Sequence, residues 1–191
     1  MPSSASASSP IFSESLSFGR AGESTIATWM RRRGWSVLPV YETILDTGKG
    51  PQLFTPSRGL IAPDMLAFRG QDARWIEAKH KTAFSWHRGT RCWCTGIDLR
   101  HYADYCEVDD ESPWPVWLLF LHLGGQAKDS PPNSPAGLFG NTLEFLRTHE
   151  HHRHSNYGRS GMVYWELASL ILLASLETVV HPVLSQLATT A

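Results

Sequence analysis

The chain has 191 residues, of which 42% are hydrophobic and 18% are charged, and its formal net charge is −1. These values are typical of one globular domain with a sizeable core, and they exclude a strongly basic protein whose overall charge would attract nucleic acid. Three cysteines, Cys92, Cys94 and Cys106, cannot form a complete disulfide framework, and no segment resembles a secretory signal, so we expect a reducing, cytoplasmic environment.

The composition changes along the chain and predicts three parts. Residues 1–13 are rich in Ser and Ala and contain two prolines, which favours a disordered tail. Residues 14–124 carry most of the predicted helices and strands and form the predicted core. Residues 125–191 begin with a Pro- and Gly-rich linker and continue as a C-terminal extension that we expect to pack on the core.

The first predicted element is a helix from Arg20 to Arg33. Apolar residues such as Ile26 and Met30 recur at helical spacing, and Gly34 provides a stop. Glu23 lies on the same stripe as the apolar residues. It either reaches solvent near the helix terminus or points an acid at a functional site.

A strand and a long loop follow the helix. Residues 35–42 are typical of a strand, and residues 43–59 are predicted to form a loop that carries Lys49 and Arg58. Loops of this length inside compact domains are often functional.

The next segment is predicted to be a β-hairpin. Two apolar runs, 61–68 and 74–79, flank Gly70-Gln71, and Gly at the first loop position suits a type II′ turn. If these two residues form the loop, the register places Asp64 directly opposite Glu77. The sequence therefore predicts two carboxylates side by side on neighbouring strands.

Like charges placed across two strands repel each other, and a divalent cation between them would remove that repulsion. Residues i and i+2 of a strand share a face, so Lys79 is expected on the same side as Glu77, with Ala78 pointing away. The alternative is a surface hairpin with an ordinary Glu–Lys ion pair. The apolar flanks of both acids favour the functional interpretation.

The elements after the hairpin are less regular in sequence. Residues 80–96 are predicted to be irregular, and Asp98 is predicted to cap a helix whose apolar face carries Leu99, Tyr102, Ala103 and Cys106. The apolar run Val116–Leu123 is typical of a central strand covered on both faces.

The C-terminal extension is predicted to contain helices at 142–148 and 166–180, with a short strand at 162–165 between them. The apolar run within 167–180 contains Glu177 and is too short to span a bilayer, so no membrane partner is expected. The extension could pack on the sheet, form a homodimer or contact substrate, and these alternatives stay open.

Residues 18–123 resemble the PD-(D/E)XK nuclease superfamily. The resemblance rests on the order helix, strand, hairpin, helix, strand, with Glu23 on the first helix, Pro63-Asp64 on the second strand and Glu77-Ala78-Lys79 on the third. The resemblance implies an α/β restriction-endonuclease-like core, with a central mixed sheet flanked by helices in the order α-β-β-β-α-β and a C-terminal helical extension. It implies a metal-dependent DNA endonuclease that hydrolyses phosphodiester bonds, including the structure-directed junction, flap or recombination and repair types.

The implied cofactor is Mg²⁺ or Mn²⁺. Asp64 and Glu77 would hold the metal, with the carbonyl oxygen of Ala78 and the carboxylate of Glu23 as further oxygen ligands. Lys79 would position the attacking water or stabilise charge on the phosphorane. The superfamily often places a polar residue on its second helix, and Tyr102 is the candidate here, although the common Gln is absent.

DNA binding is predicted to depend on local positive charge interleaved with aromatic rings, which combine phosphate contacts with base stacking. The candidates are Lys49, Arg58, Lys81, Trp86, His87, Arg88 and Arg91. The alternative for the stretch that carries most of them is a solvated loop anchored by buried aromatic side chains.

A zinc site is a weaker hypothesis. Cys92 and Cys94 could bind zinc together with His101 and Cys106, but this spacing fits no common zinc motif. The histidines between 149 and 154 are interpreted as an exposed turn. Two alternatives to the nuclease are therefore kept: a catalytically silent nucleic-acid-binding or assembly module of the same fold, and a zinc-stabilised interaction domain.

Overall fold

The structure is a computed structural model and describes residues 10–40, 51–158 and 160–180. The predicted DNA-binding residue Lys49 and residues 1–9 of the predicted tail lie outside these ranges. The helices of the described ranges lack the length and hydrophobicity that a membrane-spanning helix needs.

The helices and strands alternate along the chain. The helices are α1 (Pro10–Arg32), α2 (Leu99–Glu111) and α3 (Leu143–Thr148), with a 3₁₀ turn at Leu167–Ser169 and helical residues at 176–180. The strands are β1 (Ser36–Pro39), β2 (Gln52–Phe54), β3 (Gly59–Ile61), β4 (Met65–Arg69), β5 (Asp72–Lys81), β6 (Ser85–His87), β7 (Cys92–Asp98), β8 (Val116–Leu123), β9 (Ala136–Thr142), β10 (His152–His154), β11 (Met162–Glu166) and β12 (Ile171–Ala174).

Three sheets organise these strands. The main sheet has the order β1-β4-β5-β8-β9-β12 and is mixed, because β5 and β8 are parallel and the other neighbours are antiparallel. A second, antiparallel sheet has the order β10-β11-β7-β6, and β2 pairs with β3. Without the two smaller sheets, the order α1, β1, β4, β5, α2, β8 is the α-β-β-β-α-β order that was predicted.

The main sheet has an apolar core on each face. On one face, Ile26 and Met30 of α1 pack with Ile76, Leu121 and their neighbours. On the other face, side chains of α2, α3 and the second sheet meet buried residues of β8 such as Leu118 and Phe120. The strand β8 is therefore covered on both faces, as predicted, because its side chains point alternately into the two cores.

The β4–β5 hairpin has the predicted register. Arg69 pairs with Asp72 and Met65 pairs with Ile76, so the next residues outward are Asp64 and Glu77. Gly70 has a φ of +63°, as a first loop position of a type II′ turn requires.

A close approach between α1 and β5 depends on Gly22. A Cβ atom at this position would lie 2.4 Å from Cβ of His80, which is closer than real Cβ contacts. The missing side chain therefore lets α1 lie against β5 one residue before Glu23. The helix also begins earlier than predicted, at Pro10, so residues 10–13 are helical rather than part of a disordered tail.

The helix α2 begins as predicted, because the Asp98 carboxylate accepts a hydrogen bond from the backbone N–H of Arg100 at 3.0 Å. Its predicted apolar face is partly wrong. Ala103 is exposed, and the buried positions are Tyr102, Asp104, Tyr105 and Val108. Asp104 is buried because its Oδ2 accepts the Ile61 N–H at 3.1 Å, which ties α2 to β3.

Two predicted irregular stretches contain strands. Residues 51–59 of the predicted loop form most of the β2–β3 pair, and residues 80–96 contain the end of β5, all of β6 and the start of β7. These strands are short and interrupted by turn residues, so the sequence carries little alternation that would identify them.

The C-terminal extension is part of both sheets. The helix at 142–148 and the strand at 162–165 were predicted correctly, apart from their end residues. The helix at 166–180 was wrong over most of its length, because residues 171–174 form the edge strand β12 against β9. Pairing with a neighbouring strand overrides helical periodicity in such a short apolar run.

Candidate active site

The hairpin brings Asp64, Glu77 and Lys79 together at one place. Asp64 lies just before β4. Glu77 and Lys79 are two residues apart on β5, so their side chains point to the same face of the strand. Oδ2 of Asp64 accepts a hydrogen bond of 2.8 Å from the backbone N–H of Ala78. The Asp64 side chain is therefore fixed directly beside the strand that carries the second acid.

Glu77 is fully buried, which is rare for a carboxylate. It forms an ion pair with Lys79 through Oε1, while the Lys79 side chain keeps 28% of its surface exposed. Neither oxygen of Glu77 has a partner with hydrogen-bond geometry among the described residues. The Lys79 ammonium offsets part of the cost of burying this charge, and Oε2 is the oxygen of Glu77 that a ligand could reach.

The protonation equilibria show how closely these groups interact. Burial raises the pKa of Asp64 to about 7, and the neighbouring Glu77 carboxylate raises it as well, against the opposing effects of Lys79 and of the Ala78 N–H. Burial alone would lower the pKa of Lys79, but Glu77 and Asp64 outweigh it and raise that pKa.

Glu23 extends the cluster from the helix side. Burial raises the pKa of Glu23, and the Asp64 carboxylate adds to this, while Lys79 and Arg20 oppose it. Glu23, Asp64 and Arg20 also line one cleft of about 580 Å³, between α1 and the start of β4. The predicted acid on the first helix is thus directed toward the hairpin acids.

The second-helix residue beside the acids is Tyr105, and sequence reasoning missed it. Burial raises the pKa of Tyr105, and the carboxylates of Glu77 and Asp64 raise it further, so its hydroxyl lies near both. The predicted Tyr102 points elsewhere, since its hydroxyl donates to Oε1 of Glu150 at 2.5 Å. Tyr102 and Tyr105 are three residues apart and both lie on the buried face of α2, so the sequence carries no signal that distinguishes them.

The acids fit a divalent cation. Three carboxylates face the single ammonium group of Lys79, with Arg20 acting on Glu23, and the buried oxygens of Glu77 lack hydrogen bonds within the described part of the chain. Carboxylate and carbonyl oxygens are the ligands that Mg²⁺ and Mn²⁺ prefer. The carbonyl of Ala78 is a further oxygen on the strand that carries Glu77, and its role as a ligand stays a prediction.

The predicted DNA contacts are dispersed. Arg58 forms ion pairs with Glu107 and Asp104 of α2, and its role as a DNA contact stays a prediction. The exposed Arg88 pairs with Asp129.

Two further predicted basic contacts lie near the hairpin and the second sheet. Burial and Lys79 lower the pKa of Lys81 to about 8, so this amine belongs to the surroundings of the acid cluster. Arg91 is exposed, and its φ of +57° is unusual for a residue with a side chain.

Two of the predicted contacts lie in a second cleft. Trp86 and His87 of β6 line a cavity of about 480 Å³, together with Lys128, His152, His154 and Tyr157 and others. The cleft combines aromatic rings with groups that can contact phosphate. The aromatic part of the predicted DNA contacts is therefore a structured surface rather than a loop.

The predicted zinc ligands separate into two groups. Cys92 and Cys94 lie together on β7, whereas Cys106 lies on α2 beside Tyr102. His101 is also on α2, where burial and Lys79 lower its pKa. The four residues therefore do not form one site.

Comparisons with known proteins give little further information. No protein-family model matches the chain, and no curated protein matches it. Among solved structures, the chain is similar to Hjc, a Holliday junction resolvase from the archaeal hyperthermophile Archaeoglobus fulgidus, with a TM-score of 0.45 and 9% identity. The match covers 79% of this chain and 90% of that chain. A likeness of this size carries no argument about function, which must come from the residues of the site.

Proposed function

We propose that this chain is a metal-dependent phosphodiesterase of the PD-(D/E)XK type that cleaves DNA internally. The observation that carries the proposal is the fully buried Glu77, which is ion-paired with Lys79 and lies with Asp64 on one side of the hairpin. Clusters of perturbed acids beside a cleft are characteristic of functional sites.

The metal ligands in this proposal are Asp64 and Glu77, with Glu23 and the carbonyl of Ala78 as additional oxygen donors. When bound, Mg²⁺ or Mn²⁺ would neutralise phosphate charge and promote ionisation of an attacking water. The Ala78 N–H holds Oδ2 of Asp64 at 2.8 Å, beside the Glu77 carboxylate. The strand backbone therefore orients the acid before any ligand arrives.

Lys79 supplies the positive charge of the proposed mechanism. Its ammonium is anchored by Glu77 but is not enclosed, since 28% of the side chain is exposed. Because the neighbouring carboxylates raise its pKa, Lys79 stays charged at neutral pH and acts as an electrostatic group rather than as a base. It would hold a scissile phosphate against the acids and stabilise charge that develops there.

DNA is the proposed substrate, and the cleft around Trp86 and His87 is the proposed contact surface. Its aromatic rings suit bases that leave the duplex stack, as at junctions, flaps and strand ends. Lys128 in the same lining would contact phosphate. This surface favours a structure-directed enzyme over a reader of duplex sequence.

The test is a cleavage panel. The purified chain is incubated with Mg²⁺ and with plasmid, single-stranded, duplex, flapped and four-way DNA, alongside the Asp64→Ala and Lys79→Ala variants. We expect cleavage by the wild type, a preference for branched substrates, and loss of cleavage in both variants.

The same samples distinguish the alternatives. DNA binding without cleavage in every sample, the wild type included, would identify a catalytically silent module and overturn the enzyme. Cleavage that persists in Asp64→Ala would show that a contaminant or another site is responsible. A matched RNA panel decides between DNA and RNA.

A further inference from the structure

A second cluster of metal-binding side chains lies on the second sheet, away from the hairpin acids. Cys92 and Cys94 are two residues apart on β7 and therefore share a face. Their Sγ atoms are 3.6 Å apart, and both thiols are free.

His151 completes the cluster from a distant part of the sequence. Its Nδ1 is 3.8 Å from Sγ of Cys94, and its Nε2 is 4.0 Å from Sγ of Cys92. The three residues can each offer one ligand atom, and these atoms lie within 4.8 Å of one another. The histidine run is therefore not simply an exposed turn, because only 12% of the His151 side chain is exposed.

Glu166 lies against the same cluster. Its Oε1 is 3.1 Å from Nε2 of His151 and 3.4 Å from Sγ of Cys92. Glu166 pairs directly with Cys94 in the register of β11 against β7, so the strand geometry fixes its position.

We propose that Cys92, Cys94, His151 and Glu166 bind one Zn²⁺ ion. Tetrahedral zinc with Zn–S bonds of about 2.3 Å separates two sulfur ligands by about 3.8 Å, and sulfur from nitrogen or oxygen by about 3.5 Å. One ring nitrogen of His151 can bind the ion, and Nε2 is the one that faces Glu166. The two Sγ atoms are 3.6 Å apart, Sγ of Cys92 is 4.0 Å from Nε2 and 3.4 Å from Oε1 of Glu166, and Nε2 is 3.1 Å from Oε1, which are close to these values. Two thiolates with an imidazole favour zinc over the hard ions expected at the hairpin acids.

The backbone brings the donors together without help from a ligand. The His151 N–H donates to the Tyr164 carbonyl at 2.8 Å, and β11 pairs with β7 over five residues from Asp98 to Cys94. The side chain of Cys94 is almost fully buried. A zinc ion would join β7, β11 and the segment that enters β10, and would fasten the second sheet.

Surrounding side chains orient the donors. The Thr90 hydroxyl lies 3.0 Å from Sγ of Cys92 and 3.1 Å from Nε2 of His151, and Nδ1 of His152 lies 2.6 Å from Nδ1 of His151. Groups of this kind around metal ligands fix ring orientation and ligand basicity.

The test measures metal content and ligand type in the full chain, purified under reducing conditions without an affinity tag. Elemental analysis is expected to give about one zinc per chain. After replacement of zinc by Co²⁺, we expect near-ultraviolet bands from thiolate ligation and visible bands of tetrahedral intensity. Cys92→Ser and Cys94→Ser are expected to lose most of the zinc and the thiolate bands, and His151→Ala to weaken zinc retention against a chelator by at least tenfold.

Matched controls use residues of the same types outside the cluster. Cys106→Ser removes the third cysteine, and His149→Ala removes a histidine that stacks on Phe145 instead. Both are expected to keep zinc. Because Cys92→Ser could fail to fold, circular dichroism is recorded for each variant. Glu166→Gln is a milder change, and we expect it to keep the thiolate bands while zinc dissociates faster.

Three outcomes would overturn the proposal. The wild-type chain could contain no zinc and also bind Co²⁺ without thiolate bands. The two controls could lose as much zinc as the cluster variants, or Cys92 and Cys94 could form a disulfide under the reducing conditions. None of these measurements depends on cleavage. The zinc site and the proposed nuclease can therefore fail separately, and Asp64→Ala is expected to keep its zinc.

Discussion

The hairpin of the main sheet and the β7–β11 pair of the second sheet use the same backbone arrangement for opposite chemistry. In each, two side chains at i and i+2 on one strand meet a third from the neighbouring antiparallel segment: Glu77 and Lys79 with Asp64, and Cys92 and Cys94 with Glu166. The hairpin presents hard oxygen atoms, whereas the second sheet presents two sulfurs and an imidazole nitrogen with a single carboxylate.

The two regions also differ in how well their groups are satisfied. Within the described part of the chain, the buried Glu77 carboxylate is paired with Lys79 through Oε1, while the thiols and imidazole of the second sheet lie in contact with one another. A cluster of three carboxylates suits a cation that arrives with substrate, and a preassembled soft site suits an ion that stays bound. We therefore expect the chemical step of cleavage to depend on the first region and folding stability on the second.

The largest effect is expected from removing one hairpin acid. Asp64→Asn keeps the shape of the side chain but removes the charge that would hold Mg²⁺, so cleavage should fall by on the order of 10³-fold. The rate is measured under single-turnover conditions with saturating Mg²⁺. Asp72→Asn, which alters an exposed acid paired with Arg74 on the same hairpin, should stay near the wild-type rate.

This pair of variants also sharpens the comparison between the regions. Asp64→Asn should lose cleavage without losing zinc. Equal loss of activity in Asp64→Asn and Asp72→Asn would show that the hairpin acts only as a structural element.

A second prediction concerns the contact that places α1 on the hairpin. A methyl group at Gly22 would meet His80 at 2.4 Å, so Gly22→Ala should lower the free energy of unfolding by about 1–3 kcal/mol. Denaturant titration measures this change. Gly19→Ala is the control, because a Cβ there has no neighbour within 4 Å and alanine favours helix, so stability should hold or rise.

Gly22→Ala should also lower cleavage more than it lowers zinc content, since it displaces Glu23 and leaves the second sheet intact. An unchanged free energy of unfolding would mean that α1 does not approach β5 as described.

The third prediction follows from the pKa of Asp64, which burial and then Glu77 raise to about 7. Below this pH a proton occupies the carboxylate and competes with the metal, so the Mg²⁺ concentration for half-maximal cleavage should rise by up to about tenfold per pH unit. Rates measured at several pH values over a range of Mg²⁺ concentrations provide the test.

The direction in which pH changes the folding stability follows from the same raised pKa of Asp64. The folded chain binds this proton more tightly than the unfolded chain, so metal-free protein should lose stability as the pH rises from about 4 to about 7. Asp64→Asn should remove this component. A wild-type stability that rises across the same range, with no difference from Asp64→Asn, would contradict the assignment.

The smallest effect is expected at α2. Tyr105→Phe removes a hydroxyl near Glu77 and Asp64 and should lower cleavage by no more than about tenfold. Tyr102→Phe, which removes the hydroxyl that donates to Glu150, should change cleavage less. A larger loss of cleavage in Tyr102→Phe than in Tyr105→Phe would show that Tyr102, not Tyr105, is the residue of α2 that serves the site.

The hairpin acids could be predicted because their geometry is local. Asp64 and Ala78 are 14 residues apart, and the turn at Gly70 sets the register of every pair between them. Once the turn type is known, the pleat of the strands determines which side chains share a face.

The second-sheet cluster could not be predicted in the same way. Cys92 and Glu166 are 74 residues apart, and they meet only because β11 pairs with β7 across α2, β8, β9, α3 and β10. Single-sequence periodicity does not determine which distant strands pair. For the same reason, the edge strand β12 was predicted as helix, since its pairing with β9 is absent from local sequence.

The most direct test of the hairpin as a metal centre is binding of Mn²⁺ followed by electron paramagnetic resonance, at a pH above 7 and in the presence of branched DNA. We predict that the wild type and Asp72→Asn bind Mn²⁺ and that Asp64→Asn and Glu77→Gln lose this binding while keeping zinc. Equal Mn²⁺ binding by all four proteins would contradict the account.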